Sequence, residues 1–329
     1  MFSVGSGTTK GPEAKRPQPN GAGKQGGNAP GSSSPPSRRK RRSGVRVPLW
    51  FTLPALIAYA ATVLYPAAQG SVIAFSDWDG ISPTFGLVGW ANFERLFDDP
   101  LAISAIVNTL ILAAAVMVLQ NVFGLILALA LNSAVKTRNA LRVIFFAPMV
   151  LTPLVAGYIW SYMLSPYGGI NTALRAIGQD NLTQDWLGDP RFALGCIVVA
   201  IIWQFSGYSM VIFLAGLQAI PDELIEASVV DGAGPVRRLF SVILPLLNGA
   251  IVINLLITLI GGLGQFDQVW AMTQGGPGQA TETISTVIYK TGFQLGDFPY
   301  GTSMALTLTL FVATAAIIQY RLTSKQVTA

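Results

Sequence analysis

The sequence predicts an all-α polytopic membrane protein of about six transmembrane helices, with both termini in the cytoplasm. Three observations lead there. Of 329 residues, 51% are hydrophobic and only 11% are charged, far below the roughly 25% charged that soluble domains carry. Apolar runs recur along the chain at the ~20 residues a helix needs to cross the hydrocarbon. Lysine and arginine gather on one side of those runs, which sets their orientation. Lipid tolerates no unpaired backbone, so each run reads as a helix.

Residues 1–47 come first. They carry Lys10, Lys15, Arg16, Lys24, Arg38, Arg39, Lys40, Arg41, Arg42 and Arg46 against Glu13, in a Gly, Pro and Ser background with little to bury. Such a segment is expected to be a disordered, basic cytoplasmic tail. Its end, Arg38 to Arg46, abuts the first apolar run, which favours anionic membrane lipid over nucleic acid as its partner. A cleavable signal peptide is not expected, because the apolar run after this long tail spans a bilayer.

The expected spans cover residues 49–75, 103–131, 141–164, 192–217, 246–266 and 300–320. Pro54, Pro66, Pro148 and Pro153 suggest kinks within the first and third. With both termini inside, the inner loops collect Lys136, Arg138, Arg142, Arg237, Arg238, Arg321 and Lys325 besides the tail. The outer loops hold only Arg95, Arg175, Arg191 and Lys290. The transmembrane domain is thus 48–322, with a long inner loop at 218–245, and 323–329 forms a cytoplasmic C-terminal tail.

Several chemistries are missing. Histidine is absent and Cys196 is the single cysteine, so His-based acid–base work, His metal ligands and an intrachain disulfide are excluded. No GxxxxGK[ST] loop is present to cradle ATP phosphates. The spans lack Asp, Glu, Lys and Arg, except Arg142 at the inner end of the third. Proton relays and voltage sensors normally place such groups in the membrane. No catalytic residue and no cofactor are expected on this chain. If it moves a solute uphill, energy enters through a partner at the inner surface.

The loop at 218–245 suits such a partner. Pro221 fits the first position of a helix, with Asp222 and Glu223 favourable near its positive end. The helix runs through Val230 and stops at Gly232 and Gly234; Pro235 can start a second short helix through Phe240. Ala227 and Ser228 are small enough for another surface to approach closely. The alternative is a plain solvated connection, which would not need this length or these helix signals.

Glu226-Ala227-Ser228, three residues, Gly232, nine residues, then Val242-Ile243-Leu244-Pro245 resembles the EAA motif of bacterial ABC-importer permeases, E-A-A…G…I-x-L-P. Ser228 and Val242 replace Ala and Ile of similar size. Asp231-Gly232-Ala233, Phe266-Asp267, Thr273 to Gly278 with Ala280 to Thr283, Phe75 to Trp78, and Ala91-Asn92-Phe93 resemble the sugar-transporting, maltose-permease-like branch. The resemblance covers about residues 48–322 and implies the type I importer architecture. It implies a heterodimer with a second permease subunit, a homodimeric ATPase that holds ATP and Mg, and an external solute-binding protein. It also implies that Glu226 contacts the ATPase, that Ala227, Ser228 and Asp231 belong to the coupling segment, and that Gly232 makes its turn.

Ile201, Gln204, Phe205 and Tyr208 share one face of the fourth span by their spacing, with Trp203 nearby. Gln265 follows the glycine-rich stretch Gly261 to Gly264, where backbone can approach a ligand. Neutral amides and aromatic faces suit an uncharged, polyhydroxylated solute. The resemblance places pathway positions at 201, 204, 205, 208 and 265, with only the residue type of Tyr208 kept. Helix-to-helix hydrogen bonding is the competing reading of these amides, and of Asn254.

The expected function is therefore import of a sugar or oligosaccharide across the bacterial cytoplasmic membrane. An importer of glycerol phosphate or another polyol derivative would call for a basic residue in the pathway. An ion-coupled secondary transporter would call for intramembrane acids and no docking loop.

Overall fold

The computed structural model describes residues 49–133 and 136–324. The expected tail at 1–47 and residues 325–329 lie outside the described residues. The chain divides into a first unit, Met1–Leu53, described only from its 3-10 turn Leu49–Thr52 onward, and a second, Pro54–Ala329, that carries the architecture below.

Among the described residues there is no strand, only an isolated bridge between Ser76 and Leu87. Four helices are long and apolar enough to cross a membrane unbroken: α1 (Leu53–Ile73), α3 (Pro100–Leu131), α7 (Ala193–Gln218) and α13 (Phe298–Ser324). Two further candidate crossings are each a pair of helices bent at a break. In the third predicted span, α4 (Arg138–Val150) meets α5 (Pro153–Met163) at 97°. In the fifth, α9 (Pro235–Leu246) meets α10 (Asn248–Leu263) at 72°. Counting each bent pair once restores six. Short helices α2 (Ala91–Asp98), α6 (Gly169–Ala176), α8 (Asp222–Val230), α11 (Asp267–Met272) and α12 (Ile284–Tyr289) fill the connections.

The breaks follow from local chemistry. Pro153 has no N–H, and Leu151 and Thr152 adopt extended backbone, so the helical ladder stops there. In α1 the chain meets Pro66 differently, with a wider π segment, Ala60–Leu64, just before it. The fifth crossing departs from expectation in extent. Helix starts at Pro235, not at 246, and runs through a π segment, Leu239–Ile243, to the bend at buried Leu247. The separate short helix expected from Pro235 to Phe240 is thus the first part of α9.

The core forms around α3 and α7. Asp99 caps α3 by accepting from the Leu101 N–H at 2.9 Å, and Pro100 sits at its first turn. Its buried residues, among them Ala102, Ala105, Thr109, Val116, Gln120, Gly124 and Ala128, recur every three or four positions, which is one helical face. Gly124 lets α7 come close: a Cβ there would lie 2.5 Å from that of Ser209. One cluster joins α3 and α7 to Val269 and Met272 of α11, and a second packs Ala128 and Leu131 on Met210, Phe213 and Leu247. Of the apolar stretch of α7, 67% is buried, against none of α1. α7 is the central helix, and α1 offers its surface to lipid or another chain.

Candidate functional site

The face of α7 that carries Ile201, Phe205 and Tyr208 opens on a cavity of about 310 Å³. α3 contributes Val116 and Gln120, the end of α4 contributes Met149, and α10 contributes Ile257, Thr258, Gly261 and Gly262, with Gln265 just beyond it. No lining residue is charged. The size falls at the lower edge of the ~300–1,000 Å³ usual for small-molecule sites. Its polar groups are amides and hydroxyls, able to donate and accept without discharging an ion.

Of the residues singled out in the sequence, Phe205, Tyr208 and Gln265 line this cavity. Gln204 does not. It is fully buried and committed at both ends. Its Nε2 donates to the Leu151 carbonyl at 2.9 Å, and its Oε1 accepts from Gln268 Nε2 at 2.8 Å. Gln268 Oε1 in turn accepts from Gln265 Nε2. The break between α4 and α5 strips the Leu151 carbonyl of a helical partner, and in lipid such a group must be paired inside the protein. Gln204 supplies that pairing and carries the constraint through Gln268 to the cavity wall. Trp203 also points elsewhere, edge-on to Trp160 with ring centres 5.7 Å apart.

Sequence reasoning missed Gln268, Gln120, Thr258 and Ser209. Gln120 Nε2 donates to Ser209 Oγ at 2.9 Å, Ser209 Oγ donates to Asn254 Oδ1 at 3.3 Å, and Asn121 Nδ2 donates to Thr258 Oγ1 at 2.9 Å. This buried network ties α3, α7 and α10 together behind the cavity. The readable signals are an amide or hydroxyl inside an otherwise apolar span and, for Gln268, its three-residue spacing from Gln265.

The second candidate is α8 and its corner. Pro221 precedes it in extended conformation, and Asp222 and Glu223 occupy the first turn. Its end is a Schellman motif. The Ala233 N–H donates to Ser228 O at 2.9 Å, the Gly232 N–H donates to Val229 O at 3.0 Å, and Gly232 takes φ +75°. Glu226, Ala227 and Asp231 are exposed, whereas Ser228 is buried and its Oγ donates to Ile225 O at 2.6 Å. Of the two small residues Ala227 is left accessible, and Ser228 serves the chain's own packing. Leu224, Val229 and Val230 are 45%, 54% and 87% exposed. An acid flanked by exposed aliphatic side chains makes α8 a candidate docking surface.

The family described as "binding-protein-dependent transport system inner membrane component" matches residues 120–327, a stretch that holds α8 and every cavity-lining residue but Val116. A probable ABC transporter permease protein of Pyrococcus horikoshii is 33% identical over 82% of this chain and 92% of its own. The multiple sugar-binding transport system permease protein MsmF of Streptococcus mutans is 32% identical, covering 84% of this chain and 94% of that one. In fold, the chain matches a bacterial alginate ABC transporter solved in complex with an alginate pentasaccharide-bound periplasmic protein. The TM-score is 0.74 at 24% identity, covering 85% of this chain and 94% of that one.

Proposed function

The chain belongs to the inner membrane components of binding-protein-dependent transport systems, and from that premise we propose that it is a permease subunit importing a neutral sugar or oligosaccharide. As such a component it is a transport subunit and not an enzyme. The observation that carries the sugar reading is the cavity wall: Gln120, Tyr208, Thr258 and Gln265 among apolar and glycine surface, with no charge. A phosphorylated or anionic solute would call for a cation, and this chain's wall supplies none. The name of the Streptococcus mutans relative, which ties that protein to multiple sugars, supports the same class.

The orientation and partners belong to the same reading. The excess of basic residues on one side supports both termini and the 218–245 loop in the cytoplasm. There α8 docks into a separate ATPase, homodimeric and holding ATP and Mg. Glu226 and Ala227 make the contact, and the Gly232 corner passes its movement to α9 and α10. A second, non-identical permease closes the other side of the cavity, and an external binding protein loads it. This chain contributes the wall and the lever; hydrolysis occurs elsewhere.

Uptake by the reconstituted importer tests the assignment. Tyr208→Ala and Gln265→Ala are expected to lower uptake of a loaded sugar by roughly tenfold, the loss of about 1–1.5 kcal/mol of contact each, without loss of assembly. Parental uptake in both variants would remove the cavity from the pathway.

A further inference from the structure

The segment between α11 and α12 is wound around a buried carboxylate. Glu282 has a side chain 4% exposed. Its Oε1 accepts from Lys290 Nζ, and its Oε2 accepts from Thr286 Oγ1 at 2.6 Å. Lys290 Nζ donates as well to the Gln274 carbonyl at 2.8 Å, so the pair bridges the start of the segment to its end. Gly275, at φ +88°, lies directly over the carboxylate; a Cβ there would sit 2.2 Å from it. The Thr273 and Thr281 hydroxyls are 2.6 Å apart. Asn108 of α3 donates from Nδ2 to the Glu282 carbonyl at 3.0 Å, and the Ile284 N–H donates to Thr109 Oγ1 at 2.9 Å. The next residue, Thr283, donates from Oγ1 to the Gln265 carbonyl at 3.1 Å. Gln265 lines the cavity.

We propose that Glu282, paired with Lys290, is a positioning residue that sets the Gln265 wall of the cavity through Thr283, without touching the solute. A buried ion pair of this kind adds little net stability, yet losing one partner strands the other. Its value here is geometric. The carboxylate accepts from two donors at once while Gly275 closes over it, and this holds Thr283 in register with Gln265. Glutamine at 282 cannot reproduce that arrangement. Its oxygen can face Lys290 and its NH2 can donate to Thr286 Oγ1, whose hydroxyl then donates to the Thr283 carbonyl, but the Thr286 bond reverses and the Lys290 cation loses its counter-charge. The inference rests on the reading of the cavity as the pathway only for its consequence in transport, and its structural part is tested separately.

The test uses the assembled importer in membranes, with Cys196→Ser as background and a single reporter thiol. Gln265→Cys reports the wall in question, and Phe205→Cys reports the α7 wall. The readout is the labelling rate with a small methanethiosulfonate reagent. Adding Glu282→Gln, or Lys290→Gln, is expected to change the rate at the 265 reporter several-fold and leave the 205 reporter as it was; Lys290→Arg is expected to keep the parental rate. Thr283→Val, which spares the ion pair but removes the α12 cap, tests the last link to Gln265, and Lys290→Gln carries the test if Glu282→Gln fails to assemble. Parental labelling at 265 in Glu282→Gln and Thr283→Val, or equal changes at both reporters, would overturn the proposal. Changed labelling at 265 with parental uptake in both Tyr208→Ala and Gln265→Ala would leave the positioning role standing and sink the pathway reading instead.

Discussion

Gln204→Met is the sharpest perturbation the structure offers. Methionine keeps the length and nearly the volume of glutamine, so the substitution opens no cavity and isolates the hydrogen bonds. Two groups lose their partner: the Leu151 carbonyl at the α4–α5 break and the Nε2 amide of Gln268. Each buried polar group left unpaired costs about 1–3 kcal/mol. Hydrogen bonds between membrane helices fall nearer 0.6 kcal/mol on average and about 1.7 at most. Two losses at a fully buried site therefore come to about 2 kcal/mol. Gln204→Ala adds an emptied volume and is expected to cost roughly 2 kcal/mol more. The assay is equilibrium unfolding of the purified complex in mixed micelles of rising SDS content, with Gln204→Met, Gln268→Met and their double variant forming a cycle. Coupling between the two glutamines is expected, because each single change already breaks their shared bond. A Gln204→Met protein within about 0.5 kcal/mol of the parent, or strictly additive single variants, would refute the account of the broken crossing.

The exposed helix makes two further predictions. Glu226 is exposed with no ion-pair partner among the described residues, so Glu226→Lys should leave the unfolding curve unchanged while copurification of the ATPase and ATP-driven uptake are lost; normal uptake would end the docking reading. Gly232→Ala meets no neighbour but must hold φ +75°, at about 1–2 kcal/mol. It should weaken association with the ATPase, and Gly232→Asn should recover much of that loss; equal behaviour of the two variants would contradict the corner's role.

Much of this was legible before any coordinates. Uncharged apolar runs announce crossings because the hydrocarbon excludes ions and unpaired backbone alike. Pro148 and Pro153 announced a disturbance in the third crossing, but not whether the helix would bend slightly or stop and turn by 97°. The corner at Gly232 was readable because a Schellman motif is local, set by residues within one turn of each other. The roles of Ser228 and Gln204 were not. Their helical faces could be counted, yet which neighbour occupies a face depends on chain more than fifty residues away or on how α8 settles on its own corner.

Composition and short-range pattern by themselves determined the membrane class, the candidate crossings, the neutral character of the interior and the short helix that ends at Val230. Those properties follow from transfer energies and backbone sterics, which act residue by residue. Only the tertiary structure decided which polar groups face the cavity and which are consumed in holding it. It turned Gln204 from a presumed wall residue into the partner of a stranded carbonyl, brought Gln120 and Thr258 to the cavity, and put Glu282 beneath Gly275. The reason is physical: a buried hydrogen-bonding group must find a partner wherever the packed helices bring one, and that choice is made across the fold.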